Sequence, residues 1–511
     1  MKELNLRELK DKIQGGWEGK NIGGVLGAPF EMYRGLVDVD YYVQDLSKGV
    51  PPNDDLDLQL IWLNACELYG KAVNADILAE FWKSFQIANM GEYGTAKENL
   101  TCGIRPPLSG IMDNHLHNSN GAFIRSELWA CLYPGNPDRA VRLCYEDAMV
   151  DHAEEGIYAA AYCTALESAA FFESDINKLI EIAKSYIPKT SKVYSAVNQV
   201  IEMYNAKKSI EEIRHMLLTD YPSYFGIFNK HPWELKEEFP LGEDLGLDTP
   251  VQIGIITAAL LFGQGDFEKT IITAVHCGED ADCTAATAGA ILGIINGKNN
   301  LPEKWVKPLG SKIETMCINL SLGGGIDVPK NTYELTDRVI RLLPVFNDNN
   351  ACKIDESGMR ILAEEQEPYD SRDLYFKGNY GMEEMKIQDV LTLAPYKKIY
   401  KNPVIHTIVD YGKEPYIKVG DTVELKVIVY NQNMDRVKHC VSVKVLTDAG
   451  VTLNTNAYMR AMTSNNYEMK SEMTVEFTVN ECRAPYVDIY LDVTVEGRST
   501  NEIIKCRYFF K

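Results

Sequence analysis

Asn53, Asp54, Asp55 and Asp57 put three carboxylates and an amide within five residues, just ahead of an apolar run, and a second close pair, Asp280 and Asp282, opens far downstream. Adjacent carboxylates repel at neutral pH, and the repulsion is relieved when a hard cation takes their oxygens. Each cluster falls where a helix should begin, so its side chains can also cap free backbone amides and gain from the positive end of the helix dipole. Two such helix mouths brought together would form an oxygen-rich cavity for one or two Mg2+ or Mn2+ ions. Capping alone is the plainer account of the first cluster. The second asks for more: Cys283 to Gly293 reads as a helix of small and apolar residues, buried on nearly every side. Two carboxylates leading into it need partners or a metal, because an unpaired buried charge costs several kcal/mol.

The remaining reactive side chains read more simply. His115 and His117 form an HxH pair able to ligate metal from a strand, yet they stand beside Asn114, Asn118 and Asn120 with no third ligand in view, as a solvated loop would. Cys283 sits at a helix start, where thiol pKa values fall, but the field of Asp280 and Asp282 opposes that and argues against thiol catalysis. His276 and Cys277 lie in an apolar segment and read as core. The aromatic cluster Tyr221, Tyr224, Phe225, Phe228 and Trp233 could stack a base or sugar; a hydrophobic core patch is the default.

Four stations, in order, carry a resemblance. They are the glycine-rich opening Gly16, Gly19, Gly23, Gly27, Ala28, Pro29, Phe30, Glu31; then Asn53, Asp54, Asp55; then Asn120, Gly121, Ala122 with Arg125, followed by Pro134, Gly135, Asn136, Pro137, Glu146, Asp147, Asp151 and His152; and finally Gly278 to Cys283, running on to Ala288, Gly289 and Ala290. Across about residues 10 to 345 the chain resembles the ADP-ribosylglycohydrolase family. The resemblance implies an all-helical catalytic domain with two Mg2+ ions between helix mouths, used to hydrolyse a bond at the anomeric carbon of ribose. It implies Asp54, Asp55, Asp280 and Asp282 as metal ligands, with Asn53 and Cys283 at the flanking ligand positions where the family carries hydroxyl residues. Glu31 or Asp55 would take the proton of the attacking water. The loop Asn120, Gly121, Ala122 would approach the diphosphate, and His152 would lie near the nucleotide of a small-molecule or ADP-ribosylated substrate.

The departures are Gly24 where the family has Asp, Glu279 where it has Gly, and Cys283 where it has Thr. A soft sulfur suits Mg2+ poorly. Thr284 could supply a hydroxyl instead, but it points about 100° further round the helix. Apart from the resemblance, Glu31 reads as an ordinary surface glutamate after a proline turn. Two further readings therefore stay open: a hydrolase of another glycoside or nucleoside on the same scaffold, and a non-catalytic ADP-ribose or sugar-binding protein.

The elements that must position these residues change character once along the chain. To about Val345 the apolar residues recur at helical spacing, as in Asp138 to Ala148 and Val251 to Phe262, which predicts an all-α domain over 1–345. Residues 346–397 are polar and acidic, a linker or wrapping segment. From 398 the period becomes two, in Val423, Leu425, Val427, Val429, in Val441, Val443, Val445, in Val475, Phe477, Val479, and from Val487 to Val495. That pattern predicts a small antiparallel β-sandwich of immunoglobulin type over 398–511, whose default role is packing or dimerisation.

Composition bounds the rest. A chain of 511 residues exceeds one ordinary core. Its net charge of −21 opposes a nucleic-acid partner, since affinity for phosphates depends on Lys and Arg. No apolar stretch reaches the ~18 residues needed to span a bilayer. Twelve cysteines without a CxxC pair read as reduced thiols in a cytoplasmic protein, with a removed signal peptide as the alternative.

Overall fold

The computed structural model describes residues 2–47, 49–52, 54–89, 91–221, 248–320, 326–366, 368–369, 396–402, 404–431, 438–463 and 470–511. It divides into two units, residues 1–95 with 110–380, and residues 96–109 with 381–511. The expected two-part architecture, a helical domain followed by a β domain, is the one observed.

The helices are α1 (Leu6–Gly27), α2 (Asp54–Tyr69), α3 (Ala75–Phe85), α4 (Gly91–Thr101), α5 (Leu108–Ile111), α6 (Glu127–Leu132), α7 (Pro137–Ala148), α8 (Glu154–Ala170), α9 (Ile176–Ser185), α10 (Lys192–Asn205), α11 (Ile210–Asp220), α12 (Thr249–Gly263), α13 (Phe267–His276), α14 (Ala281–Asn296), α15 (Glu303–Leu309) and α16 (Thr332–Phe346). The residues Asp138 to Ala148 and Val251 to Phe262, read as helical from their periodicity, fall in α7 and α12. α12 is buried at every position but Phe262, and α14 up to Ile294. Helices apolar all round belong at the centre of a bundle, with amphipathic ones such as α3, α7 and α9 outside them.

The packing that matters most for function is α1 against α14. Asn5 caps α1 through a reciprocal pair with Glu8, each side chain taking a backbone N–H of the other's end. The helix then carries glycine at every fourth position, although each costs about 1 kcal/mol relative to Ala in a helix. A Cβ at Gly15, Gly19, Gly23 or Gly27 would lie 2.2, 2.1, 2.0 or 2.4 Å from the carbonyl oxygens of Gly293, Gly289, Ala285 and Ala281. Only a bare backbone permits that approach. One set of numbers rises as the other falls, so the helices run antiparallel and the end of α1 is fixed beside the start of α14.

The chain ends of the helical unit meet in a small sheet. β1 (Lys2–Asn5), β2 (Cys352–Asp355) and β3 (Gly358–Ala363) pair in the order β1-β3-β2, with Leu4 opposite Ile361. Residues 352–363, inside the stretch read as a linker or wrapping segment, are thus a hairpin that captures the N-terminal residues.

The second unit is built from β4 (Lys397–Lys401), β5 (Ile405–Asp410), β6 (Tyr416–Ile417), β7 (Thr422–Asn431), β8 (His439–Thr447), β9 (Val451–Leu453), β10 (Tyr458–Thr463), β11 (Lys470–Val479), β12 (Tyr486–Val495) and β13 (Asn501–Phe510). They form two five-stranded sheets, β10-β8-β12-β13-β6 and β4-β5-β7-β11-β9, antiparallel except for β6 beside β13. The alternating Val423, Leu425, Val427, Val429 and Val441, Val443, Val445 face one shared core, in which Phe477 of one sheet meets Tyr508 of the other edge-on at 5.3 Å. Residues 96–109 join this unit through Arg105, which pairs with Glu502 at 2.8 Å, and through the Gly103 carbonyl, which accepts from the Ile503 amide at 2.8 Å.

Candidate active site

Three segments of the helical unit meet at the helix mouths. Glu31 follows the 3-10 turn Ala28–Phe30 that ends α1, Asp54 and Asp55 occupy the first turn of α2, and Asp280 and Asp282 stand at the N-cap and first turn of α14. One oxygen each from Glu31, Asp280 and Asp282 lie within 4.8 Å of one another, as do single atoms of Asp55, Asp282 and the Cys283 thiol. Asp282 belongs to both sets, which therefore share a vertex. Asp54 is in neither set and stands beside them, half-buried. Asn53 lies outside the described residues.

Burying like charges together suppresses their ionisation. Desolvation pushes Asp55 and Asp280 up to about 7, against a partial pull downward on Asp55 from Lys20, while neighbouring carboxylates add to the rise. Asp282 is lifted well above the usual carboxylate range, first by burial and then by Asp280 and Asp55. Glu31, an exposed residue at the rim, is itself pushed up to about 7 by desolvation of its carboxyl and then by Asp54 and Asp55. Burial and the same carboxylates keep the Cys283 thiol protonated, which leaves it a poor nucleophile.

These residues fit a divalent cation. Asp280 Oδ1 and Asp282 Oδ1 are buried and make no hydrogen bond among the described residues. Buried carboxylate oxygens without a hydrogen-bond partner, on residues whose ligand atoms gather within 4.8 Å, are the donor set that a hard ion requires. Thr284 cannot replace the hydroxyl missing at Cys283, because its Oγ1 donates to the Asp280 and Ala281 carbonyls at 3.1 and 3.3 Å.

Two clamps fix the surroundings. Asn120 donates through Nδ2 to Asp280 Oδ2, which sets the Asn120, Gly121, Ala122 loop against the carboxylates. A Cβ at Gly121 would fall 2.4 Å from Glu92 Oε1 and 2.5 Å from the Tyr93 ring, so the loop needs glycine there. Arg125 ties the loop down: it donates to the Gly121 carbonyl at 3.0 Å, to Asp151 at 2.9 and 2.6 Å, and to Asp147 at 2.9 Å, with its guanidinium 4.8 Å from the Trp82 ring. His152 lies beneath the loop, wholly buried, 2.8 Å from Asp151 and 3.2 Å from Ser119 Oγ. Burial alone would raise Asp151, but Arg125 and His152 together hold it well below the usual carboxylate range. Ala122 is buried as well, so of this loop Asn120 is the residue brought to the carboxylates.

The second clamp is Glu279, held at φ 62°. Its carboxylate pairs with Arg34 at 3.0 Å and Arg214 at 2.9 Å, while its N–H donates to the Tyr33 carbonyl at 2.8 Å. The loop bearing Glu31 is thereby fastened to the loop bearing Asp280. Beneath the site, wholly buried Lys20 donates to Glu127 at 2.6 Å, and Gln59 donates to the other Glu127 oxygen at 3.0 Å. Lys20, Glu127, Arg34 and Arg214 were not singled out from the sequence. Lys20 shares a helix with the glycine stripe, but no spacing announces its partner.

The other candidates sit apart. His117 Nδ1 is 2.7 Å from the Asn114 carbonyl in a turn, and neither His115 nor His117 enters a ligand cluster among the described residues. His276 lies against the Val37 carbonyl at 2.7 Å, and the buried Cys277 offers its carbonyl to Arg214 at 2.6 Å. Tyr221 donates to Ser195 and is 2.9 Å from Gln199; Tyr224, Phe225, Phe228 and Trp233 lie outside the described residues. All twelve cysteines are free, and among the described residues no helix is long and apolar enough to cross a membrane.

No curated protein matches the chain. Among solved structures, an ADP-ribosylglycohydrolase-related protein complex aligns at 19% identity over 67% of this chain and 100% of its own, with a TM-score of 0.43. Pseudomonas fluorescens alkylpurine DNA glycosylase AlkC bound to DNA containing an abasic site analog aligns at 12% identity over 90% of this chain and 99% of its own, with a TM-score of 0.14. Neither likeness is strong enough to argue from. The ADP-ribosylglycohydrolase family model, by contrast, matches residues 5–329, a span that takes in both carboxylate clusters, the Asn120 loop and both clamps. By that match the chain belongs to the ADP-ribosylglycohydrolase family.

Proposed function

We propose that the chain hydrolyses a glycosidic bond to ribose, in an ADP-ribosylated substrate or a related N- or O-riboside, with divalent cations held by Glu31, Asp55, Asp280 and Asp282. The observation that carries this reading is the convergence of three segments, distant in sequence, on one buried carboxylate vertex at Asp282. A cation bound there would supply Lewis acidity toward substrate oxygens and a water of lowered pKa.

The chain's own residues supply the rest. Glu31 is the exposed carboxylate of the cluster, so it can accept a proton from a water that enters the cavity and return it later. The carboxylate oxygens of the cavity would stabilise the positive charge that develops on the sugar as the bond to the leaving group breaks. Asn120 holds Asp280 in place, and the Arg125 network keeps its loop from shifting. Cys283, Gly24 and Glu279, where the family usually has Thr, Asp and Gly, favour a second reading on the same scaffold, a glycoside or nucleoside other than ADP-ribose.

Release of ADP-ribose from ADP-ribosylated peptide, and of free sugar from a panel of nucleosides and glycosides, tests both readings. Turnover should vanish in chelator and return with Mg2+ or Mn2+, and Glu31→Gln should lower it by about 10²-fold or more. Full activity in excess chelator would refute the mechanism. Cation binding with no turnover across the panel would leave a binding protein.

A further inference from the structure

We infer that the centre is chemically asymmetric: Asp55, Asp282 and Cys283 form a position for a thiolate-accepting divalent cation such as Zn2+, Fe2+ or Co2+, beside the all-oxygen position of Glu31, Asp280 and Asp282. The inference rests on the metal-dependent reading above and adds to it the identity of one ion.

Geometry comes first. The Cys283 sulfur and single oxygens of Asp55 and Asp282 all lie within 4.8 Å of one another, a limit that takes in the separations of about 3.3–3.8 Å between ligands on one tetrahedral ion. Asp282, a member of this set, is 5% exposed, and its Oδ1 makes no hydrogen bond among the described residues, so the set includes a buried carboxylate with an unpaired oxygen. The thiol, 8% exposed, is turned towards Asp55 and Asp280.

Donor chemistry then separates the two positions. Oxygen-only sets suit Mg2+ and Mn2+, whereas a set that includes a thiolate selects borderline ions. Three protein ligands leave a fourth, open place, the arrangement of catalytic zinc sites. Binding exchanges the S–H bond for a sulfur–metal bond, the proton leaves to water, and no electron is transferred. Cys283 is thus a change of metal preference in a centre whose other ligands remain hard.

The test uses the full chain, stripped of metal and titrated with Co2+. A thiolate-to-cobalt charge-transfer band should grow in the near ultraviolet to one equivalent and be lost in Cys283→Ser. Zn2+ affinity should fall by at least about tenfold in that variant, while Mg2+ affinity measured by calorimetry should not fall. Absence of the band, its survival in Cys283→Ser, or unchanged Zn2+ affinity would overturn the inference. Should Cys283→Ser fail to fold, Cys283→Thr replaces it, and competition on the natural chain decides: Zn2+ should abolish the band and excess Mg2+ should not. Chelator-sensitive turnover without any cobalt–thiolate band would leave the proposed function standing and sink this addition alone. Failure to bind any divalent cation would sink both.

Discussion

Lys20 is a cation sunk among carboxylates, and single-residue energetics in this site follow from that. Its ammonium is wholly buried and bonded to Glu127, with Asp55 and Glu167 near enough to raise its proton affinity against desolvation. Replacing one partner of a buried pair leaves the other charge uncompensated, so Lys20→Met should lower stability by about 3–5 kcal/mol, read by chemical denaturation. A loss below 1 kcal/mol would mean that Glu127 takes up a proton at little cost. Removing a carboxylate from the opposite side of the balance should do the reverse. Asp282→Asn should raise the stability of the metal-free chain at neutral pH, since burial and then Asp280 and Asp55 make this carboxyl take up a proton on folding, while abolishing cation binding in calorimetry. The aspartates were legible in the sequence because carboxylates at the entrance to a buried helix demand a counter-charge or a metal. Lys20 was not, because a lysine within a glycine-rich helix looks the same in sequence whether its side chain points to water or to a glutamate on another helix.

At the level of elements, the site depends on two backbones that touch. A methyl group at Gly23 would come within 2.0 Å of the Ala285 carbonyl, and the obstacle is backbone that cannot rotate away. Gly23→Ala should therefore force α1 and α14 apart and cost about 1–3 kcal/mol, despite the better helix propensity of Ala. It should also weaken cation binding, because Glu31 rides on the end of one helix and Asp280 on the start of the other. Unchanged affinity would show that the loops hold the vertex without the helices. Glu279→Gly separates these contributions. It relieves a left-handed φ worth about 1–3 kcal/mol but removes the carboxylate that Arg34 and Arg214 share, a loss of about 3–5 kcal/mol, so a net destabilisation of about 2 kcal/mol is expected in denaturant titration. A stabilised variant would mean that the ion pairs contribute less than the strain. The glycines were legible as one station of a family resemblance, from Gly16 to Gly27; that a stripe beginning at Gly15 is a close-packing face, and which helix it meets, was not, since small residues fit many backbones. Short strands hid still better: Lys2–Asn5 pairs with Gly358–Ala363 across most of the helical unit, and four to six residues carry too little alternation to signal it. The long alternating runs at Val423 and Val487 signalled strands for the opposite reason.

For the whole molecule, the carboxylate vertex makes stability depend on pH and on cations in one unit and not in the other. Glu31, Asp55 and Asp280 keep their protons up to about 7 in the folded chain, against ordinary values of 4.5 and 3.8. Between those limits the folded chain binds more protons than the unfolded one, so stability falls as pH rises. The metal-free helical unit should thus be most stable near pH 4–5 and weaken through pH 7. Asp151, held low by Arg125, works in the other direction, but its contribution is lost only in stronger acid, outside this window. A divalent cation binds the deprotonated cluster, so its effect should grow over the same range. At about 100 times its dissociation constant it adds about 2.7 kcal/mol, a shift of a few degrees in Tm for a domain of this size. Scanning calorimetry of the full chain should resolve two transitions, since the two units have separate cores. One should move with pH and Mg2+. The other should not respond to Mg2+, because the sandwich core from Ile405 to Tyr508 holds no carboxylate, and it should gain slightly as pH rises, since burial and then Lys401 and Arg105 hold the half-buried His406 below its ordinary value. If both transitions moved with Mg2+, cation binding would reach beyond the helical unit; if the helical unit's transition did not fall between about pH 5 and pH 8, the three carboxylates would not be titrating as one cluster, and the case for a shared metal vertex would lose its thermodynamic support.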